Sequence, residues 1–171
     1  MIEVEKRGLL TEEKYNELLA FLDEHAENLG EDDKDVVYYI YDDKLLKAVN
    51  NISKKNAKVS LKMNKLGDGV ATLENEVTFS ADNFSKMKNI LGSIANPNQI
   101  IEGKQKRKNY VYKGCEIAMK WSKDYEYHFE IEKMTENQSD VDNLENELDI
   151  IAEELGLVCM TNDELKQFQQ E

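Results

Sequence analysis

The sequence predicts an α+β fold, an antiparallel sheet of eight strands that can close into a β-barrel with flanking helices. Segments of period two come as one, then four, then three, and segments of helical period separate these groups. The resulting order, βα ββββ α βββ α, offers no regular βαβ crossover and therefore favours antiparallel pairing over a doubly wound sheet. At 171 residues and 19.8 kDa the chain reads as one domain over residues 1–171.

Ile2 to Arg7 alternates strictly, so Glu3, Glu5 and Arg7 share one face of a strand and Ile2, Val4 and Lys6 the other. Thr11 is an N-cap with Glu12 and Glu13 in the favourable first turn. Tyr15, Leu18, Leu19, Leu22 and Ala26 then form a helical stripe that stops near Gly30. Strands at residues 36–41 and 44–50 flank Asp42-Asp43 as a hairpin, and strands at 57–65 and 70–79 flank a turn at Gly67-Asp68-Gly69. Ser80 caps a helix lined by Phe84, Met87, Ile90, Leu91 and Ile94, which Asn96-Pro97-Asn98 ends. Strands follow at 105–113, bounded by Gly114, at 115–121 and at 125–134. Residues 139–155 form an acidic helix with Val141, Leu144, Leu148, Ile151, Ala152 and Leu155 on one face. A short extended piece at 157–160 leads to Thr161-Asn162-Asp163-Glu164, a capping box for a last short helix.

Twenty-two basic against 35 acidic residues leave a net charge of -13, which argues against a general nucleic-acid or anionic-lipid surface. No stretch reaches the roughly eighteen apolar residues of a membrane span, and the amino-terminal segment lacks an apolar signal core; a cytoplasmic location is expected. The charge is unevenly laid out. Seven lysines and no acid lie between residues 44 and 65, whereas residues 126–171 carry fourteen acids against Lys133 and Lys166. The middle of the chain calls for negative charge. Cys115 and Cys159 have no metal-ligand spacing and read as unpaired, buried small residues.

Ionic residues recur on one face of several strands: Glu3, Glu5 and Arg7; Ser60 and Lys62; Glu74 and Glu76; His128, Glu130 and Glu132. The opposite positions hold Val59, Leu61, Leu73, Val77, Phe129 and Ile131, enough to cover a core. On a single strand such a face simply meets water. Inside a closed barrel it makes a polar tunnel, which must be wet and filled by compensating ions, because each unpaired buried ion costs several kcal/mol. Carboxylates at Glu3/Glu5 and Glu130/Glu132 suit a hard cation, Mg2+ or Mn2+, and the lysines and arginine suit a polyanion. A metal-bound triphosphate satisfies both.

Glu3-Val4-Glu5-Lys6-Arg7 resembles the amino-terminal ExExK signature of the CYTH superfamily, the triphosphate tunnel metalloenzymes, with Arg7 where the family usually has lysine. Val59-Ser60-Leu61-Lys62 resembles the family's strand ending in a phosphate-binding lysine, and Leu73-Glu74-Asn75-Glu76 its central acidic pair. Gln105-Lys106-Arg107-Lys108-Asn109-Tyr110 resembles its basic strand, and Phe129-Glu130-Ile131-Glu132 the late ExE that faces the first. The resemblance spans nearly the whole chain in order and implies a closed eight-stranded tunnel. It implies metal ligands at Glu3, Glu5, Glu76, Glu130 and Glu132, a phosphate cradle of Arg7, Lys47, Lys62 and Arg107, and Glu5 or Glu132 as acceptor of a proton from the attacking water. Alignment through Tyr110 turns Arg107 inward with Gln105 and Lys106 and Lys108 outward, while Tyr110 and Tyr112 pack and His128 lies outside or behind the metal ligands.

Two departures stand out. Val49 follows Lys47 where the family often shows the second arginine of an Arg-x-Arg pair, and Lys120 stands where it tends to place an aspartate near the metals. The second change shifts the local charge by two units, which weakens a second metal or adds a phosphate contact. The activity implied is a metal-dependent triphosphatase acting on tripolyphosphate or a nucleoside or organic triphosphate. The alternatives are a class IV adenylyl cyclase and a triphosphate-binding module with impaired turnover. The implied partner is a small-molecule triphosphate, with a homodimer allowed and neither nucleic acid nor membrane.

Overall fold

In the computed structural model, which describes residues 1–63 and 70–168, eight strands close into an antiparallel barrel and a ninth extends it. The strands are β1 (Ile2–Leu9), β2 (Glu27–Glu31), β3 (Lys34–Ile40), β4 (Leu45–Asn51), β5 (Asn56–Lys62), β6 (Ala71–Ser80), β7 (Gln99–Tyr112), β8 (Cys115–Ser122) and β9 (Glu126–Thr135). The helices are α1 (Glu12–His25), α2 (Phe84–Ile94), α3 (Val141–Glu154) and α4 (Asn162–Phe168). Around the barrel the order is β7, β3, β4, β5, β6, β1, β9 and β8, which pairs back to β7. The turn expected at Gly67-Asp68-Gly69 lies outside the described residues, as does the end of the strand expected to reach residue 65.

β7 makes the closure, because its first half pairs with β3 (Ile40↔Gln99 to Lys34↔Gln105) and its second half with β8. At 14 residues it is twice as long as β3, and it begins six residues before the strand expected at 105. The extra strand, β2, also differs from expectation. α1 stops at His25, where Ala26 turns to an extended conformation, so Gly30 is no helix terminus. With φ +86 it forms a bulge in β2 against β7, and Asn28 Oδ1 accepts its N–H at 2.8 Å. At the other end Thr11 Oγ1 accepts from Lys14 N at 3.1 Å, the cap the sequence predicts. Thr161 and Glu164 likewise close a reciprocal capping box, at 2.7 and 3.3 Å.

The apolar core lies outside the barrel. Val4, Ile117, Met119, Phe129 and Ile131 point outward and meet Leu18 and Leu22 of α1 and Leu144, Leu148 and Ile151 of α3. A second cluster joins Val37, Tyr39 and Ala48 to Leu91 of α2. Each fully buried side chain of this kind contributes about 1.5–3 kcal/mol, so these two clusters supply the fold's hydrophobic stabilisation while the interior stays polar. Leu73 and Val77 on β6, expected to cover a core, are instead 48% and 69% exposed, because the helices sit over β1, β9, β7 and β4 and leave β6 bare. Cys115 and Cys159 are unpaired. Among the described residues no helix is long and apolar enough to cross a membrane.

After α3 the chain returns along β1, and Met160 N–H donates to the Arg7 carbonyl at 2.8 Å. Gly8 leaves room for that approach: a Cβ there would fall onto the Val158 carbonyl and lie 2.8 Å from Phe129 Cε1. Gly8→Ala is therefore expected to cost about 1–3 kcal/mol in urea unfolding. Gly92→Ala in α2, where nothing lies within 4 Å, is expected to gain about 0.4–1 kcal/mol on the same measurement.

Candidate active site

The pairing of β1 with β9 sets the site. Its register puts Glu5 opposite Glu132 and Arg7 opposite Glu130, with all four side chains on the face away from the apolar core. Like charges directly across a ladder repel, so Glu5 and Glu132 require a cation between or beside them. Glu3 joins them: one carboxylate oxygen from each of Glu3, Glu5 and Glu132 lies within 4.8 Å of the other two. Three carboxylates converging in a mostly buried wall are a hard-oxygen donor set of the kind that Mg2+ or Mn2+ takes.

Glu74, from β6, completes the acidic wall. It lies in hydrogen-bonding contact with Glu3, accepts from Ser60 Oγ, and has Lys47 Nζ at 3.8 Å. Glu76, expected as a ligand, is on the same strand face but farther along it, half-exposed and paired with Lys58. Glu130 also stands apart from the converging oxygens: Lys120 Nζ is 2.7 Å away, Arg7 Nη1 3.5 Å and Arg107 Nη1 3.6 Å.

The four expected phosphate-binding cations all reach the lumen. Lys62 Nζ pairs with Glu3 and lies 3.3 Å from Glu5; Arg7 pairs with Glu5 as well as with Glu130. Arg107 is inward, with Gln105, and lies 3.7 Å from Glu132 and 3.2 Å from Glu116. Its guanidinium is positioned from behind by Asn109 Oδ1 at 2.6 Å and Asp32 at 3.7 Å. Lys108 points outward to Asp23 of α1, so the parity taken through Tyr110 is the one the barrel adopts. Val49 occupies the face of Lys47 as a buried apolar residue.

Electrostatics divide the acids into two groups. Burial, and then the Glu5 carboxylate beside it, pushes Glu3 far above the usual carboxylate range. Burial would raise Glu5 too, but the Arg7 guanidinium overrides it and keeps Glu5 ionised. Burial raises Glu132 against the pull of Arg107. Glu130, despite burial, is held well below the usual range by Lys120, Arg7 and Arg107. Glu3 and Glu132 are thus raised, whereas Glu5 and Glu130, each beside a guanidinium, are held ionised. On the basic side, burial and then Lys62 bring Lys47 down to about 8, while Glu5 and Glu3 hold Lys62 protonated against burial.

Sequence reasoning missed Lys34 as an inward charge, and it put Glu74 on the inward ionic face but named Glu76 in its place as the ligand. Lys34, 2.6 Å from Asp32 and brought down to about 8 by burial and then Arg107, precedes the strand as expected from residue 36. Its parity with Val36 and Tyr38 is the signal that would have found it. His128 faces the lumen beside Lys120, and its Nδ1–H donates to the Glu126 carbonyl at 3.0 Å.

No protein-family model matches the sequence, and no curated protein matches it. Solved structures do match. A protein of Pyrococcus horikoshii superposes with a TM-score of 0.76 at 19% identity, over 98% of this chain and 99% of the other. A candidate adenylate cyclase of Vibrio parahaemolyticus gives 0.74 at 11% identity, over 100% and 99%. A candidate adenylyl cyclase of Hippeastrum, described as having a dominant triphosphatase activity, gives 0.61 at 18% identity, over 92% and 89%. The likeness is one of fold along essentially the whole chain.

Burial, and then the neighbouring Lys120, push His128 down to about 4 from its ordinary value of 6.5. The folded state then binds fewer protons than the unfolded chain, so stability falls as pH drops from 6.5 to 4, by about 3 kcal/mol at 1.36 kcal/mol per unit. His128→Gln should show a correspondingly smaller loss in urea unfolding across that window, and equal losses for both proteins would contradict the assignment.

Proposed function

We propose that this chain, which has the fold of the CYTH superfamily, is a metal-dependent triphosphatase that hydrolyses tripolyphosphate or a nucleoside or organic triphosphate in its lumen. The observation that carries the reading is the convergence, inside one closed barrel, of the acids Glu3, Glu5 and Glu132 with the cations Arg7, Lys47, Lys62 and Arg107. A chain of phosphoryl groups fits a lumen in which ammonium and guanidinium groups come from several strands. The Hippeastrum structure, whose description names a triphosphatase activity, supports the same reaction class. The net charge of -13 argues against a polyanionic macromolecule as partner.

Glu3, Glu5 and Glu132 would hold Mg2+ or Mn2+, and the bound ion would neutralise phosphate charge and lower the pKa of a water. Arg7 and Arg107 offer planar donor forks for phosphate oxygens, and Lys62 and Lys47 offer point charges. Phosphoryl transfer asks mainly for positioning and electrostatic stabilisation, so no protein nucleophile is needed. Water attacks the terminal phosphorus, the anhydride bond breaks, and orthophosphate and the shortened chain leave. Glu5 or Glu132 accepts the water proton.

The test is incubation with tripolyphosphate or ATP and Mg2+ or Mn2+, with product analysis. Orthophosphate is expected. Pyrophosphate with cyclic AMP would make the protein a cyclase, the reading favoured by the Vibrio likeness, and binding without products would make it a binding module. Glu132→Gln should lower kcat by about 10²–10⁴-fold with little change in melting temperature.

A further inference from the structure

We infer that Lys120 is a built-in cation that fills the place of a second metal ion, so that the lumen takes a single divalent ion and Glu130 anchors cations without ligating it. This rests on the divalent-ion site proposed above and states how many ions that site takes. Lys120 stands in the middle of β8, opposite His128 of β9 and Arg107 of β7, and its side chain is 7% exposed. Glu130 is its ion-pair partner, with Nζ 2.7 Å from Oε1.

The rest of Glu130 is committed as well. Arg7 Nη1 lies 3.5 Å from the same Oε1, and Arg107 Nη1 3.6 Å from Oε2. Glu3 and Glu5 also carry cations, Lys62 and Arg7, so what separates Glu130 from them is that its oxygens do not converge with those of other acids. The oxygens that do converge for an ion come from Glu3, Glu5 and Glu132, and Glu130 contributes none to that group. Glu132 and Glu130 are alternate residues of one strand, so the same wall presents one carboxylate to a metal and the next to fixed protein cations. Lys120 is thus a positioning residue: through Glu130 it steadies the two arginines that the phosphate chain meets.

The experiment is electron paramagnetic resonance of the metal-stripped protein loaded with Mn2+ alone. Two Mn2+ ions sharing one lumen couple their spins, whereas a single ion gives an isolated six-line spectrum, and ions scattered on the acidic surface do not couple. The wild type is expected to bind Mn2+ with the isolated spectrum, and Lys120→Asp, which takes the ammonium off Glu130 and puts a carboxylate in its place, to give a coupled pair. A coupled spectrum in the wild type would overturn the inference while leaving the triphosphatase reading intact. An isolated spectrum in a natively folded Lys120→Asp would overturn it too. Absence of bound Mn2+ in the wild type would overturn both this inference and the metal site. The wild-type spectrum decides the ion count even if Lys120→Asp does not fold.

Discussion

Compensation of charge inside a closed sheet governs this molecule. With Glu3, Glu5, Glu130 and Glu132 turned into the barrel by two adjacent strands, an opposite charge must stand within a few ångströms of each, since a unit pair at 4 Å is worth about 4 kcal/mol at an effective dielectric constant of 20. The strands opposite meet that demand from several directions. β5 sends Lys62, β7 sends Arg107, β8 sends Lys120, and β1 itself sends Arg7. β1, β6 and β9 carry net negative inner faces and β3, β4, β5 and β7 net positive ones, so the strands are complementary only when the sheet has closed through β7 and β8.

That demand also explains why the apolar core lies where it does. A lumen of ions gives little net stabilisation, because desolvation offsets attraction. The hydrophobic contribution therefore has to come from the outer face, under α1, α3 and α2, and the outward positions of β1, β8 and β9 are accordingly Val4, Ile117, Met119, Phe129 and Ile131. Stability and chemistry occupy opposite sides of the same strands, so a substitution inside the barrel can change the site while leaving the core contacts in place.

The alternation along β1, β5 and β9 made the inward residues legible from sequence, and the parity of β7 followed from one tyrosine. Height along the barrel was not legible. Glu74 and Glu76 share a face, but two residues of strand separate them by about 7 Å, and only the register of β6 against β5 and β1 puts Glu74 opposite Lys62 and diagonal to Glu3, whose own partner is Thr72. The same holds for Glu130 and Glu132, which the pattern treats alike and the register Arg7↔Glu130 and Glu5↔Glu132 divides into an anchor for cations and a member of the converging acids. β2 and the first half of β7 escaped notice for another reason. Residues 27–31 lack alternation, and their strand exists because β7 offers them an edge.

The internal ion pairs also bear on how ligands would enter under the proposed function. Without ligand, Lys62 and Arg7 are spent on Glu3 and Glu5. A phosphate chain that draws these cations toward its oxygens leaves the converging carboxylates short of positive charge, which raises their affinity for a divalent ion; an ion bound first releases the same cations for phosphate. Each ligand removes a partner that the other must displace, so their binding free energies are coupled, and by linkage the coupling is equal in both directions. Lys120 lies outside this exchange, because Glu130 holds it with two guanidiniums on the same carboxylate. The barrel thus separates cations that can change partners from one that stays in place.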